Sequence, residues 1–224
     1  QVQHLPNLAT LRDEFRVQIV CDLSPTLAAT VAEQFHIPRH TNQIDELLAA
    51  DIDAVLLCHT DPKTPAAIAA FNAGKHVLIE KPICFSRTEA EKILAAQRKA
   101  ATIGMAAYMK IYDPAFAIVQ REAAKMSAIR YAQINHLHTD NSHHLQHFRL
   151  HRANDIPAEA VEQTRRNRAA AVHEAIGEVP TAVHNAFGHL AGSMIHDLYG
   201  LRAVLGVPEK VVSTEIWNGG WGIN

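Results

Sequence analysis

The stretch Gly74-Lys75-His76-Val77-Leu78-Ile79-Glu80-Lys81-Pro82 decides the fold of this chain. A glycine closes a helix, a short apolar run follows, and a charged Glu-Lys pair stands where that run ends. The run is too short for a helix and reads as a buried strand of a parallel sheet. In an open α/β sheet, ligands bind outside the carboxyl ends of the strands. A lysine there, beside a carboxylate and fixed by a following proline, is placed to touch a substrate. The bland alternative, a surface ion pair before a loop, would contribute little.

Working outward, the chain alternates strand and helix. Residues 16–22 read as a strand ending in Asp22, and Ser24-Pro25 supplies an N-cap and a first-turn proline for the next helix. Leu27, Ala28, Val31 and Phe35 form its apolar stripe. Asn42 is expected to cap a short helix bearing Ile44, Leu47 and Leu48. Residues 53–58 are a second apolar strand, and a helix runs from Thr64-Pro65 to Gly74. Ser86-Arg87-Thr88-Glu89 is a capping box, followed by Ala90, Ile93, Leu94 and Gln97 at helical spacing. Residues 103–109 read as another strand. This is the α/β pattern of a Rossmann-type doubly wound parallel sheet.

The first glycine of the chain is Gly74, so no G-x-G-x-x-G loop precedes it. Gln1 to Pro6 resembles the helix that follows such a loop. The expectation is a fragment lacking the first strand with its phosphate loop and the distal part of a second domain. The alternative is a complete protein with a degenerate first unit. The boundary is placed at Met109, giving a dinucleotide-binding domain over 1–109 and a partial α+β domain over 110–224. In the second, Asp113-Pro114 opens a helix to about Met126, residues 128–139 read as a strand, and helices are expected near 158–176 and 181–205. Residues 210–217 read as a final strand.

The bulk numbers narrow the class. The 224 residues carry a formal charge of −2, and 48% are apolar. A globular chain without a basic surplus is not expected to bind nucleic acid or an anionic membrane. No apolar run approaches the roughly 20 residues that span a bilayer. Three cysteines, Cys21, Cys58 and Cys84, read as reduced thiols of a cytoplasmic protein.

The stretch 74–82 closely resembles the Glu-Lys-Pro signature of the Gfo/Idh/MocA oxidoreductases. The resemblance continues through Ser86-Arg87-Thr88-Glu89-Ala90 and Tyr108-Met109-Lys110-Ile111-Tyr112-Asp113-Pro114. Members also carry Asp-x-x-x-His on a long helix, with a second acid three residues on and an arginine beyond. The run Gly192 to Arg202 is similar: His196 and Arg202 match, Gly192 stands where the first acid is expected and Tyr199 where the second is. The pair His196-Asp197 is similar to a branch of the family lacking the usual acid. The loop Cys58-His59-Thr60-Asp61-Pro62 matches the family's cofactor loop loosely, one residue short, so His59 and Thr60 are read equally as cofactor contacts or as a plain turn.

The resemblance implies an NAD(P)-dependent oxidoreductase transferring hydride to or from a sugar, polyol or related alcohol, usually as a homo-oligomer. Lys81 and His196 are the expected catalytic residues: Lys81 holds the reacting oxygen, and His196 exchanges its proton. Glu80, Lys81 and Pro82 would lie against the cofactor, and Lys110, Tyr112, His138 and Asp197 near the substrate. Asp22, ending the second strand of a dinucleotide fold, either binds ribose hydroxyls, favouring NAD over NADP, or merely caps the strand-to-helix turn. Ribose binding is the preferred reading.

One feature stands outside this account. Of fifteen histidines, six lie between His136 and His151: His136, His138, His143, His144, His147 and His151, with Asp140 and Asn141 among them. His136 and His138 share one face of a strand. Imidazoles with a carboxylate can bind zinc, but no H-E-x-x-H or paired-Cys spacing is present. No metal is expected here; a polar pocket wall or a solvated loop fits the pattern. The run Arg165-Arg166-Asn167-Arg168 is read as a solvated helix face. Two rival functions remain: a non-catalytic NAD- or sugar-binding regulator of the same fold, suggested by Gly192, and a metal-dependent lyase, isomerase or hydrolase using the His cluster.

Overall fold

The computed structural model describes residues 1–60, 62–138 and 142–224. Asp61, Thr139, Asp140 and Asn141, named above in the cofactor loop, the strand reading and the His cluster, lie outside the described residues.

After helix α1 (His4–Thr10) the chain alternates β1 (Ile19–Cys21), α2 (Pro25–Gln34), β2 (Arg39–Thr41), α3 (Ile44–Leu48), β3 (Ala54–Leu57), α4 (Thr64–Asn72), β4 (His76–Ile79), α5 (Arg87–Ala100) and β5 (Gly104–Ala106). Strands β3, β4 and β5 pair in parallel in that order, and β1 pairs in parallel with β2. Helices flank this Rossmann-like sheet. Among the described residues β1 and β3 do not pair.

Local chemistry sets these elements. Ser24 caps α2, its Oγ accepting from the Leu27 N–H at 3.0 Å. The capping box on α5 forms as read, Ser86 with the Glu89 N–H and Glu89 with the Ser86 N–H. Asn42 does not cap α3; Thr41 Oγ1 accepts from the Gln43 N–H at 3.1 Å, because the threonine ending β2 is already turned toward that N–H. Gly74 follows α4 with φ +73°, a left-handed position that suits glycine.

The core lies between the sheet and the helices packed on it, with Val55, Leu57, Ala67, Ala70, Phe71, Val77, Ile79 and Ile93 buried together. Phe71 is essentially fully buried, a burial worth about 2–3 kcal/mol. Two polar staples flank β4. Lys75 Nζ donates to the carbonyls of Ala50 (3.1 Å) and Ile52 (2.9 Å), and His76 Nδ1 accepts from the Ile103 N–H at 2.8 Å. They set β4 between its neighbours and so fix where Glu80 and Lys81 emerge.

Beyond β5 a 3₁₀ turn (Met109–Tyr112) leads into α6 (Pro114–Ala123), capped by Asp113. A single turn α7 (Ser142–Leu145) precedes α8 (Ala158–Ile176). The long helix is continuous but not uniform: α9 (Thr181–His189) passes through a π-helical segment, Leu190–Met194, into α10 (Ile195–Leu205). Strands β6 (Ile216–Trp217) and β7 (Gly222–Ile223) form a small antiparallel hairpin.

Two strand readings are corrected. Residues 128–138 carry contacts two residues apart, as an extended chain does: on one side Tyr131 bonds Gln133 and Gln133 bonds Asn135, and on the other His136 stacks on His138. They lack a hydrogen-bonded neighbour among the described residues, so the backbone meets no ladder and Leu137 is 90% exposed. Among the described residues, 210–214 likewise have no backbone partner, Glu215 exchanges two backbone bonds with Asn224, and Val212 stays 85% exposed. In both, β-type composition is present without the partner that makes a strand.

Candidate functional site

Backbone bonds carry the quoted stretch to its end. The Glu80 N–H donates to Leu57 O and the Ala107 N–H to Ile79 O, so β4 is held on both sides up to its last residue. The peptide Lys81–Pro82 is cis. The loop after it is pinned by Glu89, a buried carboxylate. Its Oε1 accepts from Thr64 Oγ1 at 2.7 Å, and its Oε2 from the Phe85 and Ser86 N–H groups at 2.9 and 3.3 Å. Lys63 Nζ donates to the Pro82 carbonyl at 3.3 Å.

Glu80 turns to the first helix. Its Oε1 lies 2.6 Å from His4 Nε2, and its Oε2 accepts from the Lys81 N–H at 3.0 Å. The His4 contact is the main reason its carboxyl sits below the usual carboxylate range. Lys81 goes the other way. Its Nζ donates to the Gly192 carbonyl at 2.5 Å, inside the π-helical segment. Such segments recur at functional sites. Gly192 is one turn before His196, so the strand-end lysine and the long helix meet.

His196 is partly buried at this junction. Its Nδ1 lies 2.7 Å from the Tyr199 hydroxyl, and that hydroxyl accepts the Lys110 backbone N–H at 3.1 Å. Tyr199 is buried and stacks on Tyr108, ring centroids 4.4 Å apart and 14° from parallel. Burial, then the positive charges of Lys81 and Lys110, lower the imidazole from its ordinary value. Lys110 therefore acts here through its backbone and its charge.

Asp197 faces a different partner. Its Oδ2 lies 2.5 Å from His136 Nδ1, while His136 Nε2 is buried without a partner among the described residues and the ring stacks on His138. The extended segment 128–138 is thereby fastened to α10. Of the other histidines, His144 packs edge-on against Phe148, and His151 exchanges backbone bonds with the Gln1 side chain. Among the described residues no group of three or more His, Cys, Asp or Glu is arranged to hold a metal.

The remaining expected contacts are dispersed. Asp22 Oδ1 accepts the Ser24 N–H at 2.9 Å, the local capping role. Asp155 reaches the same turn, taking the Ser24 hydroxyl and the Thr26 N–H, and its carboxyl is held down at about 2 by those bonds. His59 and Thr60 are exposed after β3. Tyr112 is 58% exposed. Arg165 to Arg168 are exposed on α8, as expected of a solvated face; Arg168 also lies 5.1 Å over the Phe85 ring in the pinned loop, and Arg165 pairs with Glu162.

The partners of Tyr199, His4 and His136 were not read from the sequence. Tyr199 is three residues after His196, a spacing that places both on one helical face, so the signal was present. His4 and His136 reach their partners across 76 and 61 residues, for which no local pattern exists.

Comparison with known proteins fits this geometry. The model of the oxidoreductase family with an NAD-binding Rossmann fold matches residues 1–108. Residues 1–108 are thus similar to the Gfo/Idh/MocA oxidoreductases. The chain is 30% identical over 114 residues to 4-carboxy-2-hydroxymuconate-6-semialdehyde dehydrogenase of a Sphingobium species, covering 50% of this chain and 36% of that protein. It is 25% identical over 117 residues to inositol 2-dehydrogenase of Salmonella typhimurium, covering 50% and 35%. The chain thus spans about a third of the length of these curated relatives. The fold continues beyond the matched half: a probable dehydrogenase from Thermotoga maritima superposes with a TM-score of 0.58 at 16% identity, covering 93% of this chain and 53% of that one.

Proposed function

We propose that this chain carries the substrate-facing site of an NAD-dependent dehydrogenase acting on a hydroxyl of a sugar or polyol. The observation that carries the reading is the contact of Lys81 Nζ with the Gly192 carbonyl. It joins the Glu-Lys-Pro lysine to the long helix one turn before the imidazole of His196, although 115 positions separate the two residues in the chain.

The residues present suit two parts of the dinucleotide. Asp22 stands at the strand end where a ribose binds in doubly wound sheets, and Glu80-Lys81-Pro82 at the strand end nearest the chemistry. Asp22 and Asp155 together put two carboxylates at the first of these, which favours ribose hydroxyls over a 2′-phosphate, hence NAD over NADP. No glycine precedes Gly74, so this chain supplies no glycine-rich turn for the pyrophosphate. The cofactor, when bound, supplies the hydride chemistry. The protein holds the reacting oxygen between Lys81 and His196: one group moves the proton and the other stabilises the developing charge. Tyr112 and His138 are assigned to the substrate and His59 and Thr60 to the cofactor, while Asp197 fastens the segment 128–138 to α10 through His136.

Inositol and related polyols, tested in parallel with simple sugars at saturating NAD, form the direct assay. Reduced nicotinamide produced with one of them, and lost on Lys81→Ala, is the expected result. Normal turnover in Lys81→Ala would refute the assignment. The metal-dependent rival predicts stoichiometric zinc, iron or manganese after dialysis; elemental analysis is expected to find none.

A further inference from the structure

Tyr199 occupies the position where the resembled pattern places an acid three residues after the histidine, and its hydroxyl contacts His196 Nδ1. A phenol and a carboxylate do opposite things to an imidazole. A carboxylate can only accept, so it fixes the proton on Nδ1 and leaves Nε2 as a base. A phenol can give its proton.

The proton inventory around Tyr199 decides which occurs. The Lys110 backbone N–H is an obligatory donor and points at the Tyr199 oxygen at 3.1 Å. No other described residue accepts from that hydroxyl. Its hydrogen therefore goes to His196 Nδ1, 2.7 Å away. Burial raises the Tyr199 phenol above its ordinary value, so it keeps the proton it donates. The ring of His196 is itself pushed toward its neutral form by burial and by Lys81 and Lys110. A neutral imidazole whose Nδ1 accepts must carry its hydrogen on Nε2, and that atom is bonded to no described residue.

We infer that Tyr199 is a positioning residue that fixes His196 in the Nε2–H form, so that His196 presents a hydrogen-bond donor, and not a base, to the substrate oxygen. This rests on the dehydrogenase reading and divides the two roles left open there. In carbonyl reduction the hydride adds to the carbonyl carbon, the C=O π pair moves to oxygen, and a Lys81 N–H proton passes to that oxygen, leaving a neutral amine. His196 Nε2–H steadies the oxygen throughout. Alcohol oxidation is the reverse. The arrangement is held by parts outside the ring itself: the Tyr108 stack keeps Tyr199 in plane, and the 3₁₀ turn at Met109–Tyr112 aims the Lys110 N–H.

Long-range ¹H–¹⁵N correlation spectra of the uniformly ¹⁵N-labelled chain, at a pH where the ring is neutral, test this without substrate or cofactor. His196→Gln assigns the ring by loss of its signals. The expected spectrum has a protonated Nε2 and an unprotonated, hydrogen-bonded Nδ1. In Tyr199→Phe the Nδ1 resonance should move to the position of a free pyridine-type nitrogen. A wild-type ring protonated on Nδ1, or an Nδ1 resonance unmoved in Tyr199→Phe, overturns the proposal. If Tyr199→Phe does not fold, the wild-type tautomer alone decides. Absence of polyol turnover would sink the dehydrogenase reading and leave this spectrum as it is, so the two failures are told apart.

Discussion

Replacing Glu89 by Ala should cost this protein more than its place at the start of a surface helix suggests. Glu89 is 6% exposed and receives three hydrogen bonds, from Thr64 Oγ1, the Phe85 N–H and the Ser86 N–H. Hydrogen bonds to a charged group contribute about 1.5–3 kcal/mol each when both partners are buried. Only the Thr64 bond is fully buried, so it takes about 2 kcal/mol. The two N–H groups are half-buried, can recruit water, and together add about 1 kcal/mol, the usual worth of a lost cap. The expected loss is about 3 kcal/mol. With a urea m-value of about 2 kcal/mol/M, the midpoint should fall by about 1.5 M at constant m. Ser86→Ala, which removes only the reciprocal cap bond, should lower it by about 0.5 M. Because Glu89 also pins the loop after Pro82, the loss should reduce turnover wherever the chain is active. A Glu89→Ala midpoint within about 0.3 M of wild type would refute the reasoning that this loop is built on the carboxylate.

Further outcomes follow from the same geometry. Lys81→Ala should lower kcat/KM by roughly 10²-fold or more in a hydride-transfer assay, as for loss of a positioned acid-base or electrostatic group. Gly192→Asp should fold normally in a thermal melt, since no atom lies within 4 Å of the Cβ it would add, and it should restore a carboxylate beside Lys81 and change kcat. Because the His196 imidazole is depressed in the folded chain, the unfolded chain takes up its proton first as pH falls. Stability from this group is therefore present above the ordinary histidine value of about 6.5 and lost below it, and urea titrations of His196→Gln should show a flatter slope there. The Cys84 thiol is pushed up to about 11 by burial, then by Glu89. Roughly a hundredfold less thiolate, partly offset by its greater nucleophilicity, should leave Cys84 about tenfold slower toward iodoacetamide than an unperturbed thiol, read by peptide mass spectrometry.

Residues 74–82 were legible because each carries a local signal. A glycine at positive φ, a short apolar run and a Glu-Lys-Pro end specify helix stop, buried strand and strand-end loop in sequence order. The Ser86–Glu89 box and the helices at Ala158–Ile176 and Thr181–Leu205 were legible for the same reason: caps and helical spacing are contained in a few consecutive residues. Residues 128–138 and 210–215 were not, because strand composition says nothing about whether a neighbour exists to pair with. The π-helical turn at Leu190–Met194 has no compositional mark, yet it is what offers the Gly192 carbonyl to Lys81. Asp22 shows a further limit. The sequence places an acid at a strand end, but only the fold reveals that one of its oxygens is already engaged by Ser24.

We propose that Lys81 and His196 serve hydride transfer between NAD and a carbon-bound hydroxyl. The most direct measurement uses polyols and sugars deuterated at the hydroxyl-bearing carbon, incubated with the protein and saturating NAD, with the recovered nicotinamide analysed by mass spectrometry. The account predicts deuterium on the nicotinamide ring from at least one polyol or sugar, and none with Lys81→Ala. Deuterium appearing equally with Lys81→Ala, or from none of them with the wild-type chain, would contradict it.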